Sequence, residues 1–246
     1  MAEQKKTAFI TGSSRGIGRA IALALAEEGC RVQLHYNREK EQAEAVARQI
    51  QAAGGEAGVL QADLSRPDDV RKLGETAGPL DILVLNASIQ IRCPWEQISV
   101  SMYEQQMNCN YLASLLLIQQ TVPHMKQQHW GRIVTIGSVQ ECKPHPDMLV
   151  YSASKAAQRN LVQSLALQLA GEGITVNDVA PGVIDTDRNK AALADPIYAA
   201  KVRASIPTGD WGRPEDCAAL VRLLVSEAGR YITGQCIYID GGKSIQ

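Results

Sequence analysis

The stretch "TAFITGSSRGIGRAIALALAEEG", Thr7–Gly29, decides how the rest of the chain is read. Thr7–Thr11 is a short apolar run closed by a glycine, the pattern of a buried strand. "GIGRAIALALAEEG" then repeats apolar residues at helical spacing and stops at Gly29. Gly12, Gly16 and Gly18 fall between strand and helix. Glycine there permits a tight turn and a close approach to the backbone. A helix N-terminus behind such a turn offers free N–H groups and partial positive charge to a phosphate. The spacing G-x-x-x-G-x-G differs from the standard dinucleotide fingerprint G-x-G-x-x-G. Glycines also close many such turns for steric reasons alone, so the reading depends on the residues beyond Gly29.

Those residues alternate between two patterns. "RVQLHY" reads as a second strand, "REKEQAEAVARQIQAAGG" as an amphipathic helix closed by two glycines, and "EAGVLQADL" as a third strand. "DILVLNA", "GRIVTIGS", "ITVNDVAPG" and "CIYIDGG" continue the series to seven strands, with long helical stretches at Val100–Gln128 and Val150–Ala170. Apolar strands alternating with helices predict an α/β fold: a single doubly wound Rossmann-type domain, 1–246, with a mainly parallel seven-stranded sheet. In such sheets ligands bind at the carboxyl ends of the strands, where strand order reverses.

Bulk composition narrows the function classes. With 246 residues, 45% hydrophobic and 21% charged, the chain has ample material for a globular core. A net charge of -1 supplies no basic field for nucleic acid and no polybasic membrane anchor. There is no apolar run long enough to span a bilayer and no signal-peptide pattern. The six cysteines (Cys30, Cys93, Cys109, Cys142, Cys217 and Cys236) form no C-x-x-C pair, so reduced thiols and a cytoplasmic location are expected. The four histidines lack metal-ligand spacing, and no metal is expected.

The strand ends carry the chemistry. After strand two, an acid would bind a ribose 2′-hydroxyl and a basic residue a 2′-phosphate. The sequence there reads Tyr36, Asn37, Arg38, and Arg15 lies in the glycine turn. Two guanidinium groups without a carboxylate favour NADP(H) over NAD(H), because arginine matches phosphate geometry bidentately. Arg38 also suits the start of a charged helix. After strand three, Asp63 can accept from an adenine amino group or cap the helix that begins near Pro67. Asn86 ends strand four and Ser138 ends strand five. Tyr151 and Lys155, four apart among good helix formers, share one helix face at about 5–6 Å between Cβ atoms. An ammonium beside a phenol favours the tyrosinate, which suits proton transfer near neutral pH. Ser138 could hold a carbonyl oxygen against Tyr151, a constellation fit for hydride transfer with a nicotinamide cofactor.

Together these motifs resemble the short-chain dehydrogenase/reductase family over essentially the whole chain. The resemblance rests on "TGSSRGIG" at 11–18, Asp63, "NAS" at 86–88, Asn110, Ser138, "YSASK" at 151–155, "PGVIDT" at 181–186 and "DGG" at 240–242. It implies that Gly12, Gly16 and Gly18, with Ser14 and Ile17, shape the cofactor turn. Asp63 and the adjoining Leu64 would contact adenine, and Asn86, Ala87 and Ser88 would lie beside the cofactor. Tyr151 would be the general acid/base, Ser138 would orient the substrate oxygen, and Lys155 would bind the nicotinamide ribose. Asn110 would hold a water linking Lys155 to solvent. Pro181, Gly182, Val183 and Ile184 would face the nicotinamide carboxamide, with Thr186 nearby. Two positions depart from the family pattern: Leu85 stands for its first Asn and Ser88 for its Gly, where a side chain could restrict or strain the backbone.

For the substrate, the insert Gln140–Leu149 and a lid segment at about 187–210 are the expected walls. The insert and lid resemble those of bacterial glucose 1-dehydrogenases. Gln90, Ser138, Gln140, Glu141 and His145 could bond several hydroxyls, which points to a sugar, polyol or other small hydroxylated carbonyl. Trp95 and Trp211 are further candidates for the pocket or for packing. A 3-oxoacyl-thioester reductase shares the same core motifs and stands as the alternative. A non-catalytic cofactor sensor on this fold is a third reading, opposed by the presence of Asn110, Ser138, Tyr151 and Lys155. The last helix and strand, "PEDCAALVRLLVSE" and "GQCIYIDGG", commonly pair subunits in this family and imply a homotetramer.

Overall fold

A computed structural model describes residues 5–246, except the side chains of residues 191 and 192. Seven strands appear in order: β1 Thr7–Ile10, β2 Arg31–Tyr36, β3 Glu56–Gln61, β4 Ile82–Leu85, β5 Gly131–Ile136, β6 Ile174–Pro181 and β7 Cys236–Ile239. The helices are α1 Gly16–Glu27, α2 Lys40–Ala52, α3 Pro67–Ala77, α4 Val100–Met107, α5 Ala113–Gln128, α6 Leu149–Leu169, α7 Asp187–Leu193, α8 Pro196–Ala204 and α9 Pro214–Val225.

The strands form one sheet in the order β3-β2-β1-β4-β5-β6-β7, and every pairing is parallel. The mainly parallel sheet of the sequence reading is thus wholly parallel. Side chains alternate across it. Phe9, Leu83, Ile133 and Val176 face one core with α3, α5 and α6. Ala8, Ile10, Leu34, Val84 and Val179 face the other with α1, α2 and α9. Burial on both faces explains why β4 reads as an unbroken apolar run; β5 and β6 are buried along their whole length as well, polar Arg132, Thr135, Asn177 and Asp178 included. Order reverses between β1 and β4, so the crevice for a ligand opens beyond Ile10 and Leu85, where Gly12 and Asn86 stand.

The stretch Val100–Gln128, expected as one helical run, is two helices joined by a π turn at Asn108–Leu112. Such a turn inserts an extra residue and rotates the side chains after it, often at functional sites. The lid segment likewise divides into α7 and α8, with Asp195 accepting from Ile197 N to start the second helix.

Candidate active site

Gly12 and Gly16 both adopt positive φ, 64° and 55°, which a side chain would resist. A Cβ on Gly18 would collide with the Gly12 carbonyl and stand 2.5 Å from Asn86 Nδ2. The turn is pinned from both sides. Asn86 Nδ2 donates to Thr11 O (2.9 Å) and Gly12 O (3.0 Å), while Thr11 Oγ1 accepts from Asn86 N and Ala87 N. From β2, His35 Nδ1 accepts from Gly12 N at 3.0 Å, and Ser13 Oγ accepts from His35 N. That bond leaves the ring proton on Nε2, 3.2 Å from Ala62 O. Burial lowers His35 to about 4, so the ring stays neutral and the bond holds. Sequence reading missed His35 because nothing local to "RVQLHY" points to the turn.

Beyond β2 and β3 a cavity of about 550 Å³ is lined by Tyr36, Asn37, Ala62 and Asp63, among others. Asp63 Oδ1 accepts from Ser65 N and Oγ, and the α3 cap is Arg66, so Asp63 shapes the turn and does not cap the helix. Leu64 is buried behind it. Asn37, on its lining, is exposed, and so is the next residue, Arg38. Arg15 stands 4.0 Å from both Glu39 and Asp187. An open helix N-terminus, a glycine cradle that a Cβ would fill and an adjacent nucleoside-sized cavity fit a dinucleotide. Ser14 and Ile17 flank the cradle, and a Cβ on Gly16 would touch Thr186 at 3.3 Å. Ser88 is not at positive φ: His129 alone is among the described non-glycine residues, so the serine carries no left-handed strain. Its backbone and hydroxyl oxygens instead accept from Arg188.

Strand β5 runs through Gly137 to Ser138, and α6 packs against the turn beyond it. Ser138 Oγ accepts from Gln140 N at 3.2 Å. Tyr151 and Lys155 lie on the first turns of α6, both buried, with Lys155 Nζ 5.9 Å from the Tyr151 ring centroid. Lys155 is 1% exposed, and its ammonium donates to Ile136 O (2.6 Å) and Gln158 Oε1 (2.9 Å). Gln158, one helical turn on, is a partner that the spacing of Tyr151 and Lys155 could have revealed. Asn110, within the π turn, is fully buried. Its side chain accepts from Ile89 N (2.8 Å) and donates to Ile89 O (2.9 Å) and Ser154 Oγ (3.0 Å), tying the β4 loop to α6. Pro181 ends β6 opposite Ile239, Gly182 to Ile184 run on past the sheet, and Gly182 packs against Asp240.

The proposed substrate residues divide. Gln90 is half-buried beyond β4. Gln140 Oε1 accepts from His145 N (2.7 Å), folding the insert back on itself, and His145 Nδ1 accepts from Asp147 N. Glu141 turns towards β7, accepting from Tyr238 Oη (2.9 Å) and Cys236 Sγ (2.7 Å). Beneath it lies Asp178, wholly buried and bonded to Thr135 Oγ1. Burial, and then the Glu141 charge, push Asp178 up to about 7. Donor atoms of Glu141, Asp178 and Cys236 lie within 4.8 Å of one another. Burial and the two carboxyls drive the thiol upward, so it keeps its proton as a hydrogen-bond donor. Trp95 is exposed on a single turn, and Trp211 stacks under Arg203 at 4.0 Å.

A family model described as short chain dehydrogenase matches residues 6–197. The chain is 36% identical over 245 residues to 3beta-hydroxysteroid dehydrogenase 1 of Eggerthella lenta, covering 98% of this chain and 94% of that one. It is 37% identical to glucose 1-dehydrogenase of Gluconobacter oxydans, covering 98% and 92%. A crystal structure of a 3-oxoacyl (acyl-carrier-protein) reductase from Agrobacterium tumefaciens C58 with NADP bound superposes with a TM-score of 0.92 at 40% identity, covering 96% and 93%. Similarity of this extent in sequence and fold settles the family: the chain belongs to the short-chain dehydrogenase/reductase enzymes, oxidoreductases acting on hydroxyl and carbonyl groups.

Proposed function

We propose that this enzyme transfers a hydride between NADP(H) and the carbonyl or hydroxyl of a small, polyhydroxylated substrate, within one domain roofed by the segment 187–210. One observation carries the mechanism: a strand-end serine and a buried Tyr151–Lys155 pair stand at the carboxyl edge of the sheet, where Lys155 bonds Ile136 O, the same edge that carries the glycine cradle. When bound, the nicotinamide supplies or accepts the hydride. Ser138 Oγ holds the substrate oxygen by a hydrogen bond. Tyr151 Oη gives its proton to that oxygen in reduction and takes it back in oxidation. The Lys155 ammonium, screened from water, stabilises negative charge on the phenol oxygen at each exchange. Arg15 and Arg38, with no acid among residues 36–38, support the 2′-phosphate of NADP(H). NAD(H) is the lesser cofactor.

Gln90 and His145 are the polar groups we assign to the substrate, and the likeness to a glucose 1-dehydrogenase supports a sugar or polyol. The second reading is a 3-oxoacyl-thioester reductase, favoured by the likeness to the NADP-bound 3-oxoacyl reductase. Among the described residues no helix is long and apolar enough to cross a membrane, and all six cysteines are free, in keeping with a cytoplasmic enzyme. The test is a panel of aldoses, polyols and 3-oxoacyl esters, each with both cofactors, on the parent and Tyr151→Phe. Turnover should prefer NADP(H) and a hydroxylated substrate, and the variant should fall about 100-fold or more while still binding cofactor. A variant that keeps the parent rate removes Tyr151 from the mechanism.

A further inference from the structure

The first residues of the lid reach both walls of the crevice. A Cβ on Gly16 would lie 3.3 Å from Thr186 Cγ2, and Arg15 Nη1 is 4.0 Å from Asp187 Oδ2, so the start of α7 lies over the glycine turn. The next residue crosses to the other side. Arg188 Nη2 donates to Ser88 O at 2.9 Å and to Ser88 Oγ at 3.0 Å. The β4 loop that carries Ser88 is itself against the turn, because a Cβ on Gly12 would lie 3.0 Å from Ala87 Cα. The N-terminus of α1, the β4 loop and α7 therefore enclose a three-sided crevice, and Arg188 bridges it. A helix N-terminus in that position favours a phosphate group. The Arg188 guanidinium, on the residue after Asp187, makes two hydrogen bonds to neutral oxygens of one serine. Its bonds to a phosphate would be shorter and roughly twice as strong.

We propose that Arg188 is a pyrophosphate-binding residue, whose two bonds to Ser88 compete with those it would make to the dinucleotide. The inference rests on the reading that this chain binds a nicotinamide dinucleotide. It gives the Ser88 hydroxyl a role: the serine competes with the cofactor for the arginine. It also separates the task of Arg188 from that of Arg15 and Arg38. Pyrophosphate is common to NADP(H) and NAD(H), whereas the 2′-phosphate is not.

The experiment is fluorescence titration of the full-length protein, without substrate, by NADPH and by NADH. Arg188→Met should weaken both by about tenfold, because one charge-assisted partner is lost in each case. Ser88→Ala should tighten both by about threefold, because less of the arginine is held away from the ligand. The double variant should bind as Arg188→Met does, since the serine acts only through the arginine. A misfolded protein cannot bind more tightly, so Ser88→Ala keeps the test meaningful if Arg188→Met is damaged. The inference is overturned if Arg188→Met leaves both affinities unchanged, or if Ser88→Ala still tightens binding in the absence of Arg188. A loss confined to NADPH also overturns it, by making Arg188 a 2′-phosphate partner, and leaves the cofactor reading standing. A parent that binds neither dinucleotide overturns both.

Discussion

His35 and Asp178 lie beneath the two halves of the site, and burial drives their titrations in opposite directions. The ring is lowered from 6.5 to about 4, and the carboxyl is raised from 3.8 to about 7. Between pH 6.5 and 4 the unfolded chain binds a proton that folded His35 refuses, so stability is lost on acidification, up to about 3 kcal/mol. Asp178 has the reverse sign. Between pH 3.8 and 7 the folded chain keeps a proton that the unfolded chain releases, so stability is lost as pH rises through that window. The two slopes oppose each other in the parent. Asp178→Asn removes one of them, and its melting temperature should fall more steeply than the parent's between pH 7 and pH 5. Matching slopes in thermal melts at the two pH values would refute the Asp178 assignment. At this scale the sequence speaks only where partners are near in the chain. Tyr151 and Lys155 are legible because four residues on a helix make one face. His35 pins Gly12 from 23 positions away, and Glu141 turns to Tyr238, 97 positions on, so neither role has a local signature.

The strand–turn–helix at Thr7–Glu27 was readable as an element because its spacing and its glycines are local properties. Its tightness was not. Both groups that a Cβ on Gly18 would strike are anchored, the Gly12 carbonyl and Asn86 Nδ2 by their mutual bond. Gly18→Ala must therefore move the turn off the β4 loop, at a cost of about 2 kcal/mol, or about 4–8 °C in melting temperature for a chain of this size. Gly171→Ala is the control, with no neighbour within 4 Å of the added Cβ, and should melt near the parent. Equal melting of the two variants would mean that the turn yields freely. The π turn at Asn108–Leu112 escaped the sequence reading for another reason. One extra residue scarcely disturbs a long apolar period, and within the turn the Asn110 carboxamide meets both backbone groups of Ile89, far along the chain. Asn110→Ala orphans that N–H and C=O and should destabilise the fold by about 2–3 kcal/mol, read as a shift in denaturation midpoint. A midpoint unchanged from the parent would show that Ile89 finds other partners.

Large apolar side chains remain exposed on the whole molecule: Tyr231 at 93%, Ile245 at 90% and Leu167 at 87%. Among the described residues, sheet edge β7 has no neighbour on its outer side. Exposed apolar surface and an open edge mark places for another chain, and we propose the homotetramer that the family resemblance implies. Sedimentation velocity should find the parent as a tetramer, and Leu167→Glu should lower the assembled fraction; a monomeric parent would end that proposal. The sequence alone determined the order of the seven strands, the α/β fold, the glycine turn and the placing of Tyr151 and Lys155 on one helix, because each arises from residue spacing within one or two adjoining elements. Only the tertiary structure decided what those elements do to one another: His35 on Gly12, Asn110 on Ile89, Glu141 on Tyr238 and Arg188 on Ser88. The reason is physical. Periodicity records which face of an element is buried, whereas a hydrogen-bond partner is chosen by the packing of strands and loops that lie 21 to 100 residues apart.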